Sequence, residues 1–253
     1  VAGVFDQDGF GIRLEWGREG LVALAPHCGA VIIIDVLSFS TAVDIAVGRG
    51  GRVLPLPWRR TDPRVDEAAE RAGAVAAAAK GEPGWSLSPA SLLDLPAGTL
   101  LALPSPNGAT LSAQAADLVP AVFAGSLRNA EAVARAAAEA AGDRPIAVIA
   151  AGERWGVVEG PMRPGIEDYL GAGAIAAALL RRRDDASSET RLAAMAFRVA
   201  AEHIPALLTE AVSGRELLGI GMAADVALAS EVDVSRAVPR LVEGIYTDRA
   251  PHS

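Results

Sequence analysis

The apolar run at 30–34, "AVIII", ends on Asp35, and Ser38, Ser40 and Thr41 follow directly. An aspartate in that place is either a turn or capping residue or a group with chemistry to do. The three hydroxyls are better placed to cap the next helix. That frees Asp35 to hold a metal ion or to act as a nucleophile. Other apolar runs end in a similar way. "LPSPNGAT" brings Asn107, Gly108 and Thr110 to a sharp turn before a helix, "GSLRNA" brings Ser126, Arg128 and Asn129, and "AAGE" ends on Glu153. Glu167 and Asp168 open the helical pattern that comes next.

These residue types suit an anionic ligand. Gly108 permits close backbone approach, and Thr110 with the free amides of a first helical turn can hold an anion. Arg128 offers a planar fork for phosphate or carboxylate. With Ser40, Thr41, Asn107, Ser126 and Asn129 they form the expected substrate-binding set. Asp35, Glu167 and Asp168 are the expected ligands of Mg²⁺, which takes one or two carboxylates beside water and phosphate oxygens. Glu153 is the further ligand or base. Each residue has a plainer alternative. "SPNG" also reads as an ordinary turn, Arg128 as a surface arginine, and Glu167 and Asp168 as acids that complement the positive end of their helix.

The elements that must position these residues follow from hydrophobic pattern. Strand-like runs at 30–35, 51–56, 99–108, 121–126 and 144–153 alternate with helical patterns at 62–79, 109–118, 127–142 and 165–183. Uninterrupted apolar strands between helices indicate a mainly parallel sheet covered on both faces, in an α/β chain. Ligands of such sheets bind beyond the carboxyl ends of the strands, where the polar residues above fall. After residue 186 the pattern becomes mostly helical. Nothing marks a linker, so 1–253 reads as a single domain. The stretch 152–165 is the candidate functional loop.

Composition narrows the classes. Of 253 residues, 51% are hydrophobic and 4% aromatic, so the core is aliphatic and alanine-rich. A single cysteine, Cys28, excludes an intrachain disulfide and suggests a reducing, cytoplasmic setting. A net charge of −8 argues against nucleic acid or anionic membrane as partner. No signal peptide and no membrane span are expected. The chain has no G-x-x-x-x-G-K-[ST] and one lysine, Lys80. "GAGAIA" at 171–176 lies inside a helix pattern, so it is not a dinucleotide-binding turn. Leu37 stands where aspartyl-phosphate phosphatases need a second aspartate, and Ile34 where a cysteine phosphatase needs arginine. His27, His203 and His252 have no zinc spacing.

The blocks "IIIDVLSFST", "LPSPNGAT", "GSLRNAEAVA", "AGE", "IEDYLGAGAIAAAL" and "SGRELLGIGMAADVALASEVDVSRAVPRL", in that order, resemble the 2-phosphosulfolactate phosphatase family. The resemblance covers roughly residues 30–243. It implies a three-layer α/β/α sandwich and a Mg²⁺-dependent acid phosphatase for phosphate esters of 2-hydroxycarboxylic acids. The substrate it implies is (R)-2-phospho-3-sulfolactate, on a route to coenzyme M. The expected partner is thus a small phosphorylated hydroxy acid; a homo-oligomer is left open. The rival reading is a non-catalytic domain that binds an anion or metabolite with the same turns. One departure stands out: Ser38-Phe39 occupies a place where family members often carry Arg-Ala. A serine cannot replace a bidentate guanidinium clamp, and Arg128, Arg154 and Arg163 are the expected substitutes.

Overall fold

Residues 3–156 and 160–249 are described in a computed structural model. Residues 157–159 of the candidate loop, and His252, lie outside the described residues. The chain runs through β1 (Ile12–Trp16), α1 (Gly17–Leu24), β2 (Ala30–Ile34), α2 (Phe39–Gly48), β3 (Arg52–Leu56), α3 (Arg64–Ala72), β4 (Val75–Ala76), β5 (Leu100–Pro104), α4 (Gly108–Ala116) and β6 (Val122–Gly125). It continues through α5 (Ala130–Ala141), β7 (Ile146–Ala150), the short β8 (Glu153–Arg154) and β9 (Met162–Arg163), and α6 (Ile166–Leu179). The last part holds α7 (Ser188–Ala200), α8 (Ile204–Glu210), α9 (Val212–Gly219), α10 (Ala223–Ala229), β10 (Pro239–Val242) and β11 (Ile245–Asp248).

Nine strands form one mixed sheet in the order β1-β7-β2-β6-β10-β11-β3-β5-β4. The block β1-β7-β2-β6 is parallel, as is β3-β5-β4. The hairpin β10-β11 joins the blocks, antiparallel to each through the bridges Arg240–Phe123 and Tyr246–Val53. Helices cover both faces, which makes a three-layer α/β/α sandwich. Strand β2 shows why its residues are all apolar. Its side chains alternate between faces, and both faces are covered. Ile32 and Ile34 enter a core with α5 and α6, while Val31 and Ile33 enter a second core with α1 and α4.

The "GAGAIA" glycines serve close packing of α6. A Cβ on Gly171 would stand 2.6 Å from Val36 Cγ2, and one on Gly173 would stand 2.3 Å from the Ala193 carbonyl on α7. The helical stretch Ser188–Glu210 is long and apolar enough to cross a membrane by length and composition alone. Here its α7 part buries Ala193 and Ala194 against the rest of the domain.

Three elements depart from the pattern read above. The helix expected over 62–79 stops at Ala72, because Gly73 adopts φ 62° and closes it; Val75–Ala76 then pairs with β5 as an edge strand. The helical region after 186 ends at α10, and "PRLVEGIYTD" forms a hairpin. Its turn residues Glu243 and Gly244 both take positive φ, as a two-residue hairpin turn requires. Finally, β1 adds an edge strand beside β7 that pattern reading left unassigned.

Candidate active site

Asp35 leaves the end of β2 at the entrance to α2 and is 6% exposed. Its Oδ1 accepts the Phe39 N–H (3.2 Å) and its Oδ2 accepts the Gly108 N–H at the start of α4 (2.9 Å). The aspartate thus ties two strand ends together. Ser40 and Thr41 shape the loop beneath it. The Ser40 hydroxyl donates to the Asp35 carbonyl and accepts the Asp35 N–H, and the Thr41 hydroxyl donates to the Val36 carbonyl. Their hydroxyl hydrogens are therefore engaged by backbone. The Leu37–Ser38 peptide is cis.

Gly108 must be glycine. A Cβ there would lie 2.3 Å from Phe39 Cδ1 and 2.8 Å from Asp35 Oδ2. Gly108→Ala is therefore expected to cost about 1–3 kcal/mol by overpacking and to displace the Asp35 carboxylate. A lower melting temperature together with a reduced kcat checks this; wild-type values of both would remove the constraint.

Asp168, 3% exposed near the start of α6, makes the second tie. Its Oδ1 accepts the Val36 N–H (2.7 Å) and its Oδ2 the Gly152 N–H (2.8 Å). Gly152 takes φ 67°, with Met162 Sδ and the Arg163 carbonyl too close to admit a Cβ. The β8-β9 ribbon that follows carries Glu153. Asn107, the N-cap residue of α4, makes no side-chain cap; its amide instead donates to Glu153 Oε2 at 3.2 Å. That leaves the first-turn amides of α4, at Ala109 and Thr110, outside the helix's own hydrogen bonding. Thr110 is half-buried in this first turn.

Glu167 is 2% exposed, and its carboxylate makes no hydrogen bond among the described residues. It lies close enough to Asp35, Asp168 and Glu153 to repel all three charges. Burial raises the Asp35 and Asp168 carboxyls above the ordinary range and repulsion adds to it, against the backbone N–H bonds and, for Asp35, the Lys80 ammonium that lower them. Glu153 is pushed up to about 7 by burial, then by Asp35 and Glu167, with Asn107 and Arg163 opposing.

These shifts have a definite sign in stability. A carboxyl whose folded pKa is raised from 4.5 to about 7 stabilises the fold below pH 4.5 and loses that contribution as pH rises through 7. For Glu153 the loss amounts to at most about 3 kcal/mol. In EDTA the melting temperature is expected to fall between pH 5 and pH 8, and Glu153→Gln to flatten part of that fall. A rising or flat wild-type profile would contradict it.

The turn at 126–129 has a different use from the one its sequence suggested. Asn129 Oδ1 accepts from the Ser126 N–H and hydroxyl, which folds the turn on itself. Arg128 donates Nε to Asp44 at 2.9 Å and Nη1 to the Leu228 carbonyl, and it pairs with Glu231. Asp233 caps the amide of Glu131 in the first turn of α5. Ser126 and Asn129 therefore hold the turn, Arg128 anchors the segment before β10, and the first turn of α5 is capped by Asp233. Arg154 donates to the Gly160 carbonyl, and Arg163 to Ser213 and the Pro164 carbonyl. Cys28 is buried, and that burial pushes its thiol up to about 11, so it is inert near neutrality.

One group at the site was missed from the sequence. Lys80, in the loop after β4, donates to the Ser38 hydroxyl at 3.0 Å. Burial lowers its pKa, while Asp225, Asp35, Glu153 and Glu216 oppose that. Its signal was its singularity, the only lysine in the chain, but the expected 62–79 helix placed it at a helix end.

The donor set fits a hard divalent cation in kind, being all carboxylate oxygen with one buried member, Glu167, lacking any partner. It is not a closed cage. Among the described residues no group of three or more His, Cys, Asp or Glu side chains converges at ligand spacing, and both oxygens of Asp35 and of Asp168 already accept backbone N–H groups. Glu167 has its oxygens free for an ion that keeps most of its waters, and Asp35, at the strand end beside the first turn of α4, is the aspartate placed to share it.

An α/β/α sandwich with buried acids at its strand ends, beside a helix start with amides outside its own hydrogen bonding, has the makings of a hydrolase for anionic esters. The sequence profile of the 2-phosphosulpholactate phosphatase family matches residues 22–244, and the chain belongs to that family. It is 30% identical over 238 residues to a Deinococcus radiodurans protein named probable 2-phosphosulfolactate phosphatase, covering 90% of this chain and 93% of that one. The chain is thus a phosphatase, a phosphoric monoester hydrolase.

Proposed function

We propose that this chain hydrolyses the phosphate monoester of a small 2-hydroxycarboxylic acid, 2-phosphosulfolactate or a close relative, with the help of Mg²⁺. The observation that carries this reading is Asp35, buried between the first turn of α4, whose Gly108 N–H it accepts, and Glu167, which makes no hydrogen bond among the described residues. The α4 amides at Ala109 and Thr110, with the helix dipole behind them, offer donors for phosphoryl oxygens. Such fixed donors are most effective where charge spreads over those oxygens in the transition state.

Asp35 and Glu167 would hold the ion, and Asp168 would position the loops on either side of it. When bound, Mg²⁺ supplies neutralisation of phosphate charge and a template for the attacking water. Glu153, poised near neutrality and held by Asn107, is the group able to exchange a proton with that water or with the leaving oxygen. A covalent role for Asp35 is the competing assignment; acid quenching during turnover separates the two, since only that role leaves phosphate on the protein.

The direct test is phosphate release from 2-phosphosulfolactate, 2-phospholactate and phosphoglycolate, with and without Mg²⁺. Release that depends on the ion supports the reading. Binding of these esters without release would favour the anion-binding domain instead.

A further inference from the structure

We propose that Lys80, with Ser38, grips the second anionic group of the substrate, the carboxylate or sulfonate of the acid, and so selects which phosphate esters are taken. This rests on the function proposed above.

The ammonium is half-buried, yet no carboxylate lies within ion-pair distance of it among the described residues. Its one hydrogen bond goes to a neutral hydroxyl, Ser38 Oγ at 3.0 Å. An ammonium has three donors, so two remain for a ligand. Asp225, Asp35, Glu153 and Glu216 surround it at longer range and favour its charged form.

Lys80 reaches the site through Ser38, the N-cap residue of α2, whereas the amides offered to the phosphoryl group are those of α4. Asp35 Oδ2 faces Gly108 and the α4 amides, while its Oδ1 faces Phe39, the neighbour of Ser38. Lys80 therefore approaches from the α2 side. A substrate with its phosphoryl group at α4 would turn its other end toward this side. The loop that carries Lys80 is held at both ends. The Ala77 N–H donates to the Ala102 carbonyl of β5 at 3.0 Å, and the Ala78 N–H to the Trp85 carbonyl at 2.7 Å. Further on, Asp225 Oδ1 accepts the Ser88 hydroxyl (2.6 Å) and the Ala90 N–H (3.0 Å). Such anchoring suits a group whose task is to be in place before ligand arrives. A lysine here is a compact point charge, suited to a single oxygen of carboxylate or sulfonate.

The test compares wild type, Lys80→Met and Lys80→Arg on 2-phospholactate and on propyl phosphate, which lacks the second anion. The ratio of kcat/KM for the two esters is expected to fall about ten- to a hundredfold in Lys80→Met, mainly through KM, with partial recovery in Lys80→Arg. An equal loss on both esters would assign Lys80 to the phosphoryl group or the acid cluster and overturn the proposal, as would an unchanged ratio. Calorimetric titration with lactate and 3-sulfolactate, which carry no phosphate, decides the matter even if no ester is hydrolysed. Wild type should bind them and Lys80→Met, with its fold checked by circular dichroism, should not. Wild type that fails to bind either acid overturns the proposal; wild type that binds them but cleaves no ester overturns the phosphatase mechanism and leaves the clamp standing.

Discussion

Asp35→Asn is expected to lower kcat by roughly a thousandfold or more, the scale on which loss of a central charged or polar group acts in hydrolytic sites. The substitution keeps size and changes two things. It removes one negative charge from the site that would hold the ion. It also turns an amide NH₂ toward either the Phe39 or the Gly108 N–H, each of which now meets a carboxylate oxygen. The lost acceptor costs about 1–3 kcal/mol. Relief of repulsion from Glu167 and its neighbours offsets part of that cost. The melting temperature of the metal-free variant should therefore stay within a few degrees of wild type while turnover disappears. Near-wild-type phosphatase activity in a folded Asp35→Asn protein would take Asp35 out of the mechanism.

The second large effect concerns the ion. After EDTA treatment the enzyme is expected to be inactive, with activity restored by Mg²⁺ or Mn²⁺, because the site offers hard oxygen donors and, among the described residues, no His or Cys set. A readout independent of activity follows from the same geometry. Buried acids that repel one another destabilise the metal-free protein above neutral pH, so an ion held between Asp35 and Glu167 should raise the melting temperature most at about pH 8. At a hundredfold excess over the dissociation constant the gain is about 2.7 kcal/mol, or roughly 5–10 °C for a chain of this size. Glu167→Gln should blunt that rise. Full activity after chelation, rescue by Zn²⁺ alone, or a melting temperature indifferent to Mg²⁺ would each sink the assignment.

Much of the architecture was legible in the sequence. A short run such as "AVIII", rich in β-branched residues and bounded by polar ones, reads as a strand covered on both faces, because its alternate side chains are all apolar. "EG" at 243–244 makes the two-residue β10-β11 turn, although its place within a mostly helical region hid it. The helix expected over 62–79 is shorter in the structure because a glycine among alanines can sit within a helix or close it, and Gly73 takes the left-handed conformation that closes it. Asp35 and Glu167-Asp168 were marked as candidates because carboxylates at strand ends and helix starts are local patterns.

What residues do with those positions was decided elsewhere. Asp35 meets Gly108 across 73 residues, Asp168 meets Val36 across 132, and Lys80 meets Ser38 across 42. Arg128 and Asn107 look alike in the sequence, a polar residue at a turn into a helix. Packing ties the first to Asp44 and Glu231 and turns the second toward Glu153. Strand, turn and helix are written in the spacing of near neighbours, because period and backbone freedom act over a few residues. Which charge finds which partner depends on how distant strand ends are brought together, and burial then makes a charge costly unless it is paired or its charged form is given up.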